Sequence, residues 1–300
     1  MSDAVPDFIR AGFPDGAKFH TFAPPVGDGE TGGASPRMAY VEAGEGSPVL
    51  FVHGNPTWSW MYRRALGAVA GSHRAIAVDH VGMGRSDKPA EYPYRLNQHA
   101  ENLLALVRKL DLNDVTLVVH DWGGPIGLLA AVREPGRFSK LVISNTAAFR
   151  SERMPWQIGL ARSPIGGFLL RGPNLFVRGL MKDCVVHPDR ITPETRRGYF
   201  WPYGSWADRV ALHRFVQDVP TAPGHPSYAH LVELEEGLPK LTDKPTLLLW
   251  GEDDWCFGKP FLAEFQQRMP HADTVALPAG HLVVEDEPER YCRALADFAG

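Results

Sequence analysis

Val118-Val119-His120-Asp121-Trp122-Gly123-Gly124 puts an aspartate where a run rich in β-branched residues, Val115 to Val119, breaks into a glycine-rich turn. Such a run reads as a strand, and two glycines directly after a polar residue read as a tight strand-to-helix turn. A turn of this kind lifts one side chain above the end of a sheet, beside backbone N–H groups that can hold an oxyanion. In the related G-x-S-x-G pattern the lifted group is a serine. Here it is a carboxylate, which is ionised near neutral pH and needs no base to act as a nucleophile. Attack on carbon would leave an alkyl ester on Asp121.

Working outward, four further apolar runs are spaced as strands: Pro48–Val52, Arg74–Val78, Leu141–Ile143 and Thr246–Trp250. They are continuously apolar rather than alternating, as strands covered on both faces must be. Gln98 to Leu110 has apolar residues at Leu103, Leu104, Val107 and Leu110, the spacing of a helix packed on a sheet. Alternating strands and helices predict an α/β fold with a mostly parallel central sheet.

The alternation stops after Ile143 and resumes near Pro245. A structureless segment of that length does not suit a compact domain, so it is expected to carry its own helices as an insertion. The predicted division is a core of residues 1–147 and 241–300 and a helical cap, or lid, of residues 148–240. Helices are expected over Arg162–Leu170, Asn174–Met181 and Trp206–Val216, with Trp156, Phe168, Phe176, Trp201 and Trp206 packing the cap's apolar face. The Gly/Pro-rich stretch from Pro24 to Pro36 reads as a flexible loop.

The chain's 300 residues, 44% of them hydrophobic, suffice for one large core plus an excursion. A net charge of −4, with no Lys/Arg block longer than a pair, supplies no basic surface for phosphates, so nucleic acid is not an expected partner. The start of the chain has no long apolar run behind a basic segment, and no stretch of the length a bilayer requires is uninterrupted by polar residues. A cytoplasmic protein without a membrane span is expected. Cys184, Cys256 and Cys292 are scattered without CxxC spacing, which predicts free thiols rather than a disulfide framework or a metal site.

Leu249-Trp250-Gly251-Glu252-Asp253-Asp254 brings acids to the end of a strand, and Pro278-Ala279-Gly280-His281 brings a histidine to a later turn. In open α/β sheets the site forms beyond the carboxyl ends of the strands, so Asp121, one of these acids and His281 are expected to converge. Asp254 is preferred to its neighbour Asp253 from the W-G-x-x-D spacing. The chain order of nucleophile, acid and histidine is that of the α/β-hydrolases. In this arrangement His281 activates water against the Asp121 ester while Asp254 orients the imidazole. His53-Gly54-Asn55-Pro56 follows the strand ending at Val52. Backbone N–H groups of Asn55 and Trp122 are placed to form an oxyanion hole, and their side chains, as donors, can cradle a departing anion. His53 and His120 are expected to support the site through hydrogen bonds.

Taken together, HGNPTWSWMYR (His53 to Arg63), VDHVGMGRSDKP (Val78 to Pro89), VVHDWGG (Val118 to Gly124), WGEDDWCF (Trp250 to Phe257) and AGH (Ala279 to His281) resemble the haloalkane dehalogenases of the α/β-hydrolase superfamily. The strand before the insertion ends Ile143-Ser144-Asn145-Thr146 with no carboxylate, which places the resemblance with the third subfamily, close to the β-lactone decarboxylases of olefin biosynthesis. The resemblance implies that Asp121 is nucleophile, His281 base and Asp254 acid, with Asn55 and Trp122 binding halide. It implies no cofactor and no metal, an apolar substrate that is a halogenated alkane or a β-lactone, and self-association. Dehalogenation is the first expectation and β-lactone decarboxylation the alternative. An epoxide hydrolase using Tyr199, Tyr203 or Tyr228, and a non-catalytic receptor, are lesser readings.

Overall fold

The computed structural model describes residues 5–24 and 35–300. Its eight strands are β1 (Lys18–Phe22), β2 (Met38–Ala43), β3 (Ser47–Val52), β4 (His73–Asp79), β5 (Val115–His120), β6 (Phe138–Ser144), β7 (Thr246–Gly251) and β8 (Asp273–Leu277). They form one sheet in the order β1-β2-β4-β3-β5-β6-β7-β8. β1 and β2 run antiparallel to their neighbours, whereas β4 through β8 are parallel.

The five strands expected from apolar runs are all present, each extended by a residue or a few. β5 and β7 are buried along their whole length, which is why they carry no alternation. β1, β2 and β8 were not delimited from sequence. β1 and β8 are edge strands that each bury a single residue fully, so burial did not force apolar runs on them. The helix expected at Gln98–Leu110 spans Leu96–Lys109 and packs on the helix Gly123–Arg133 that follows the Asp121 turn.

From β6 to β7 the chain is helical, with no strand. Its helices differ from the expected ones in ways the residues explain. The helix expected over Arg162–Leu170 is two, Trp156–Arg162 and Pro164–Arg171. Pro164 has no N–H to continue the first helix, and Ser163 caps the second by accepting from the Gly166 N–H at 3.0 Å. Asn174–Met181 corresponds to Leu175–Asp183. The helix expected from Trp206 opens as a 3-10 turn, Ala207–Arg209, and becomes regular over Val210–Gln217. Pro193–Phe200, capped by Thr192, and Tyr228–Gly237 are additional.

The expectation that the aromatics of this segment pack its interior needs correcting. Trp156, Phe168 and Trp206 are exposed, and Phe176 is half-buried on a cavity wall. Trp201 does pack, against Trp58 at 5.5 Å. The interior of this segment is filled instead by residues such as Leu180, Met181, Tyr199 and Leu212. Of the loop expected over Pro24–Pro36, residues 25–34 lie outside the described residues. Among the described residues no helix is long and apolar enough to cross a membrane.

Candidate active site

Asp121 ends the β5 run with φ 50°, in the left-handed region that costs a non-glycine residue about 1–3 kcal/mol. Its surroundings hold it there. The Asp121 N–H donates to the Asn145 carbonyl at 3.1 Å, and the Asp121 carbonyl accepts from the Gly124 N–H at 2.9 Å and the Thr146 hydroxyl at 2.5 Å. The two glycines are needed for close approach: a Cβ on Gly123 would overlap the Val52 carbonyl, and one on Gly124 the Thr146 side chain. Gly54 is constrained likewise, since a Cβ there would strike the Asp121 carboxylate.

The Asp121 carboxylate is buried. Its Oδ1 accepts from the Asn55 backbone N–H at 2.6 Å, and the Trp122 backbone N–H also donates to the carboxylate. Oδ2 lies 3.8 Å from His281 Nε2. Burial pushes the Asp121 pKa up, and the nearby imidazole and the two N–H donors only partly oppose it. Oδ1 thus holds the Asn55 N–H while Oδ2 faces the imidazole.

On the other side of the ring, His281 Nδ1 is 2.8 Å from Asp254 Oδ2. Burial works to lower the His281 pKa, but the charge and hydrogen bond of Asp254, with Asp121 beyond, outweigh it and raise it. For Asp254 burial works upward, and His281 with the backbone donors of Cys256 and Phe257 carries the net shift downward. Asp253 is exposed, so of the two aspartates it is Asp254 that meets the imidazole.

Asn145 was passed over as a functional residue because it is not a carboxylate. Its Nδ2 donates to Asp254 Oδ2 at 3.0 Å and to the Gly251 carbonyl at 2.9 Å, and its Oδ1 accepts from the Gly251 N–H at 2.8 Å. This one side chain ties the end of β6 to the end of β7 and fixes the acid. Its position at the carboxyl end of a strand beside β5 was the available signal.

His53 and His120 both lie behind the carboxylate. His53 Nδ1 donates to the Gly54 carbonyl at 2.7 Å and its Nε2 accepts from the His80 N–H at 3.1 Å, bracing the loop that presents Asn55. His120 Nε2 donates to the carbonyl of His281 at 2.8 Å, and the two rings lie 4.5 Å apart. Burial lowers both pKa values to about 3, so both rings are neutral supports.

Asp121, His281, Asn55 and Trp122 open onto a cavity of about 590 Å³. Leu170, Leu175, Phe176, Leu180, Val216 and Phe261 are among its apolar walls. The Trp122 indole N–H has no partner among the described residues, while the Asn55 amide already donates to the Leu212 carbonyl at 3.0 Å. Cys184 and Cys256 also line the cavity, both as free thiols, and burial raises the Cys184 pKa to about 12. No tyrosine lines it. Tyr199 donates to Glu285 at 2.9 Å and Tyr203 to the Thr57 carbonyl at 3.1 Å, so neither is placed to protonate an epoxide.

A carboxylate on a strained turn, two backbone donors, an imidazole and a second carboxylate at the strand ends of a mostly parallel sheet define a class, and residues 47–288 match the family model of the alpha/beta hydrolase fold. The chain belongs to the alpha/beta hydrolase fold family. It is an enzyme of the haloalkane dehalogenase-like branch, and its relatives narrow the class further. It is 37% identical over 270 residues to the cis-3-alkyl-4-alkyloxetan-2-one decarboxylase of Shewanella oneidensis, covering 87% of this chain and 85% of that one. Haloalkane dehalogenase 2 of Mycobacterium tuberculosis is 30% identical over 280 residues, covering 88% and 92%. The crystal structure of haloalkane dehalogenase DatA from Agrobacterium tumefaciens C58 superposes with a TM-score of 0.82 at 28% identity, over 96% of this chain and 98% of that one.

Proposed function

We propose that this enzyme opens a substrate at a saturated carbon with Asp121, and that the substrate is a β-lactone (oxetan-2-one) carrying two alkyl arms, decarboxylated to an alkene. What carries this choice between the two readings is a carboxylate nucleophile at the base of a roomy apolar cavity, in a chain 37% identical to an oxetanone decarboxylase and 30% to a dehalogenase. In this reading Asp121 is nucleophile, His281 and Asp254 are its ionic partners, and residues 148–240 form a cap over a core of residues 1–147 and 241–300.

Asp121 Oδ2 attacks the ring carbon that bears the ring oxygen. The carbon–oxygen bond breaks and its electron pair leaves on a new carboxylate, so an alkyl ester of Asp121 carries a free carboxylate one carbon away. That carboxylate loses carbon dioxide. The released pair forms the carbon–carbon double bond as the ester bond to Asp121 breaks, regenerating the enzyme. No water is consumed. Inversion in the first step followed by anti elimination in the second returns a cis alkene from a cis lactone. The backbone N–H groups of Asn55 and Trp122 hold the Asp121 carboxylate, and protonated His281 offsets the negative charge exchanged between lactone and enzyme.

Hydrolytic dehalogenation is the second reading, favoured by one specific observation: Trp122 and Asn55, whose side chains carry N–H donors, both line the cavity beside Asp121. Halide leaves toward Trp122 and Asn55, and water activated by neutral His281 releases an alcohol from the ester. Offering the purified enzyme a long-chain cis-dialkyl β-lactone and, separately, brominated alkanes separates the two. Alkene and carbon dioxide support the first reading; halide and alcohol, without alkene from the lactone, overturn it in favour of the second. If neither product exceeds an Asp121→Ala control, both readings fail.

A further inference from the structure

Outside the site, the most unusual surface of the molecule is on the helices that follow β6. Trp156 is 73% exposed, Ile165 70% and Phe168 63%, and Leu160, Leu175 and Trp206 are also exposed. Apolar side chains scattered singly need no explanation, but a contiguous set does. These are grouped by helix geometry: Trp156 with Leu160 is an i, i+4 pair and Ile165 with Phe168 an i, i+3 pair, while the Phe168 ring reaches Trp206 at 5.9 Å. Trp156 and Leu175 also belong to the cavity wall, so the exposed surface continues into the chamber that holds Asp121.

The charge around this surface runs against the rest of the chain. Residues 150–182 contain Arg150, Arg153, Arg162, Arg171, Arg178 and Lys182 but only one acid, Glu152, a net +5 in a protein whose total is −4. On the sheet side several arginines are paired: Arg74 with Glu42, Arg133 with Glu101 and Glu233, Arg268 with Glu235 and Glu264. Within residues 150–182 Arg150 meets an acid, Glu235, whereas Arg153, Arg162, Arg171, Arg178 and Lys182 meet no carboxylate among the described residues. Leu175, Arg178 and Lys182 share one helix face, so apolar and cationic groups are interleaved there.

We infer that this face docks on an anionic lipid surface. Exposed Trp, Phe and Ile side chains ringed by unpaired Arg and Lys fit the boundary between acyl chains and acidic headgroups. Docking there sets the cavity opening against a phase that dissolves apolar substrates. The inference concerns binding alone and does not depend on which reaction Asp121 performs.

Flotation of the purified enzyme with vesicles tests it, using neutral phosphatidylcholine and the same lipid with about one-third phosphatidylglycerol. The expected result is flotation with the anionic vesicles, little with the neutral ones, and release as salt is raised. Arg178→Glu with Lys182→Glu lowers partition roughly thirtyfold, and Ile165→Asp with Phe168→Asp abolishes it. None of these four residues lines the cavity, so turnover of a short, soluble substrate is unchanged in both variants and serves as the check on folding. Absence of flotation, equal binding to both vesicle types, or binding that survives both variants overturns the inference. So does light scattering in which Ile165→Asp with Phe168→Asp dissociates an oligomer while vesicle binding persists, which would assign the face to a second copy of the chain.

Discussion

The wall of the cavity that comes from the sheet and the wall that comes from the inserted helices spend their polar groups differently. On the sheet side the Asp121, Asp254 and His281 side chains are each buried against a hydrogen-bond or charge partner, and Asn145, His53 and His120 stand behind them with further hydrogen bonds. On the helical side the cavity is lined by Leu170, Leu175, Phe176 and Val216, and the outer surface leaves aromatic rings and cations facing water. A displacement at carbon needs a nucleophile and a leaving-group partner held to a fraction of an ångström, which buried hydrogen bonds on strand ends provide. Accommodating an alkyl chain needs volume and apolar contact, which tolerate rearrangement. The two walls also meet: the Asn55 amide donates to the Leu212 carbonyl across the boundary, and Glu285 binds Arg63 beside Tyr199 and Thr195 of the inserted helices.

That division can be broken at its strong end first. Asp121→Ala removes the proposed nucleophile, and a loss of roughly 10⁴-fold or more in kcat is expected on a β-lactone or bromoalkane, with the thermal transition retained. Activity within tenfold of the parent would show that the carboxylate is not the nucleophile.

Arg63→Ala strips the main partner from the fully buried Glu285, which Arg63 Nη1 meets at 2.5 Å, and leaves it the Tyr199 hydroxyl at 2.9 Å and Arg64 at 3.7 Å. Removing one partner of a buried ion pair costs about 3–5 kcal/mol, and with Arg64 and Tyr199 still at hand a drop toward the lower end of that range in denaturant stability should accompany loosening of the inserted helices. A change below 1 kcal/mol would mean the two walls are not clamped at this point.

Asn145→Ala leaves Asp254 short of one donor and the Gly251 N–H without an acceptor, each group costing about 1–3 kcal/mol when unsatisfied. A kcat lower by ten- to a hundredfold with KM little changed is expected, since Asn145 does not line the cavity. An effect on KM alone would place Asn145 with the substrate wall instead.

The pH profile sharpens the comparison further. The raised pKa of His281 keeps the imidazole protonated to higher pH than a free histidine, whose value is about 6.5. Alcohol release by hydrolysis of the Asp121 ester, which needs the neutral base, should therefore fall as pH drops through that raised value and level off above it. Alkene formation needs no neutral base. Its acid limb is set by protonation of Asp121, whose pKa is raised from 3.8, and should lie at lower pH. Coincident limbs for lactone and bromoalkane would contradict the water-free route.

The smallest effect is expected at the mouth. Trp156→Ala removes an exposed ring that also lines the cavity, and KM for a long-chain substrate should rise by no more than about tenfold, with kcat within twofold of the parent. A large fall in kcat would mean that the helical wall takes part in the chemistry.

Much of the sheet side was legible in the residues alone. VVHDWGG marks a strand, a left-handed turn and a helix start in seven positions, because Gly123 and Gly124 are where backbone and side chain approach too closely for a Cβ. The acid and base were findable because strand ends in an α/β sheet converge in space. Asn145 escaped because an amide carries no chemistry of its own; its role exists only through the Gly251 and Asp254 atoms that it joins. The helical side was read less well. The break at Ser163-Pro164 was missed, and aromatics assigned to the interior turned out to lie on the surface, since amphipathic spacing tells which residues share a face and not what that face meets.

By itself the sequence determined the α/β alternation, five of the strands and the turn that presents the Asp121 carboxylate, together with the set of residues from which its partners had to come. These depend on local spacing, backbone conformation and side-chain chemistry. Only the tertiary structure joined Asn145 to Asp254 and His120 to the His281 backbone, kept tyrosines out of the cavity and turned the rings of Trp156, Phe168 and Trp206 outward. Each of those outcomes is a contact between residues far apart in the chain, and which contacts form depends on how whole elements pack.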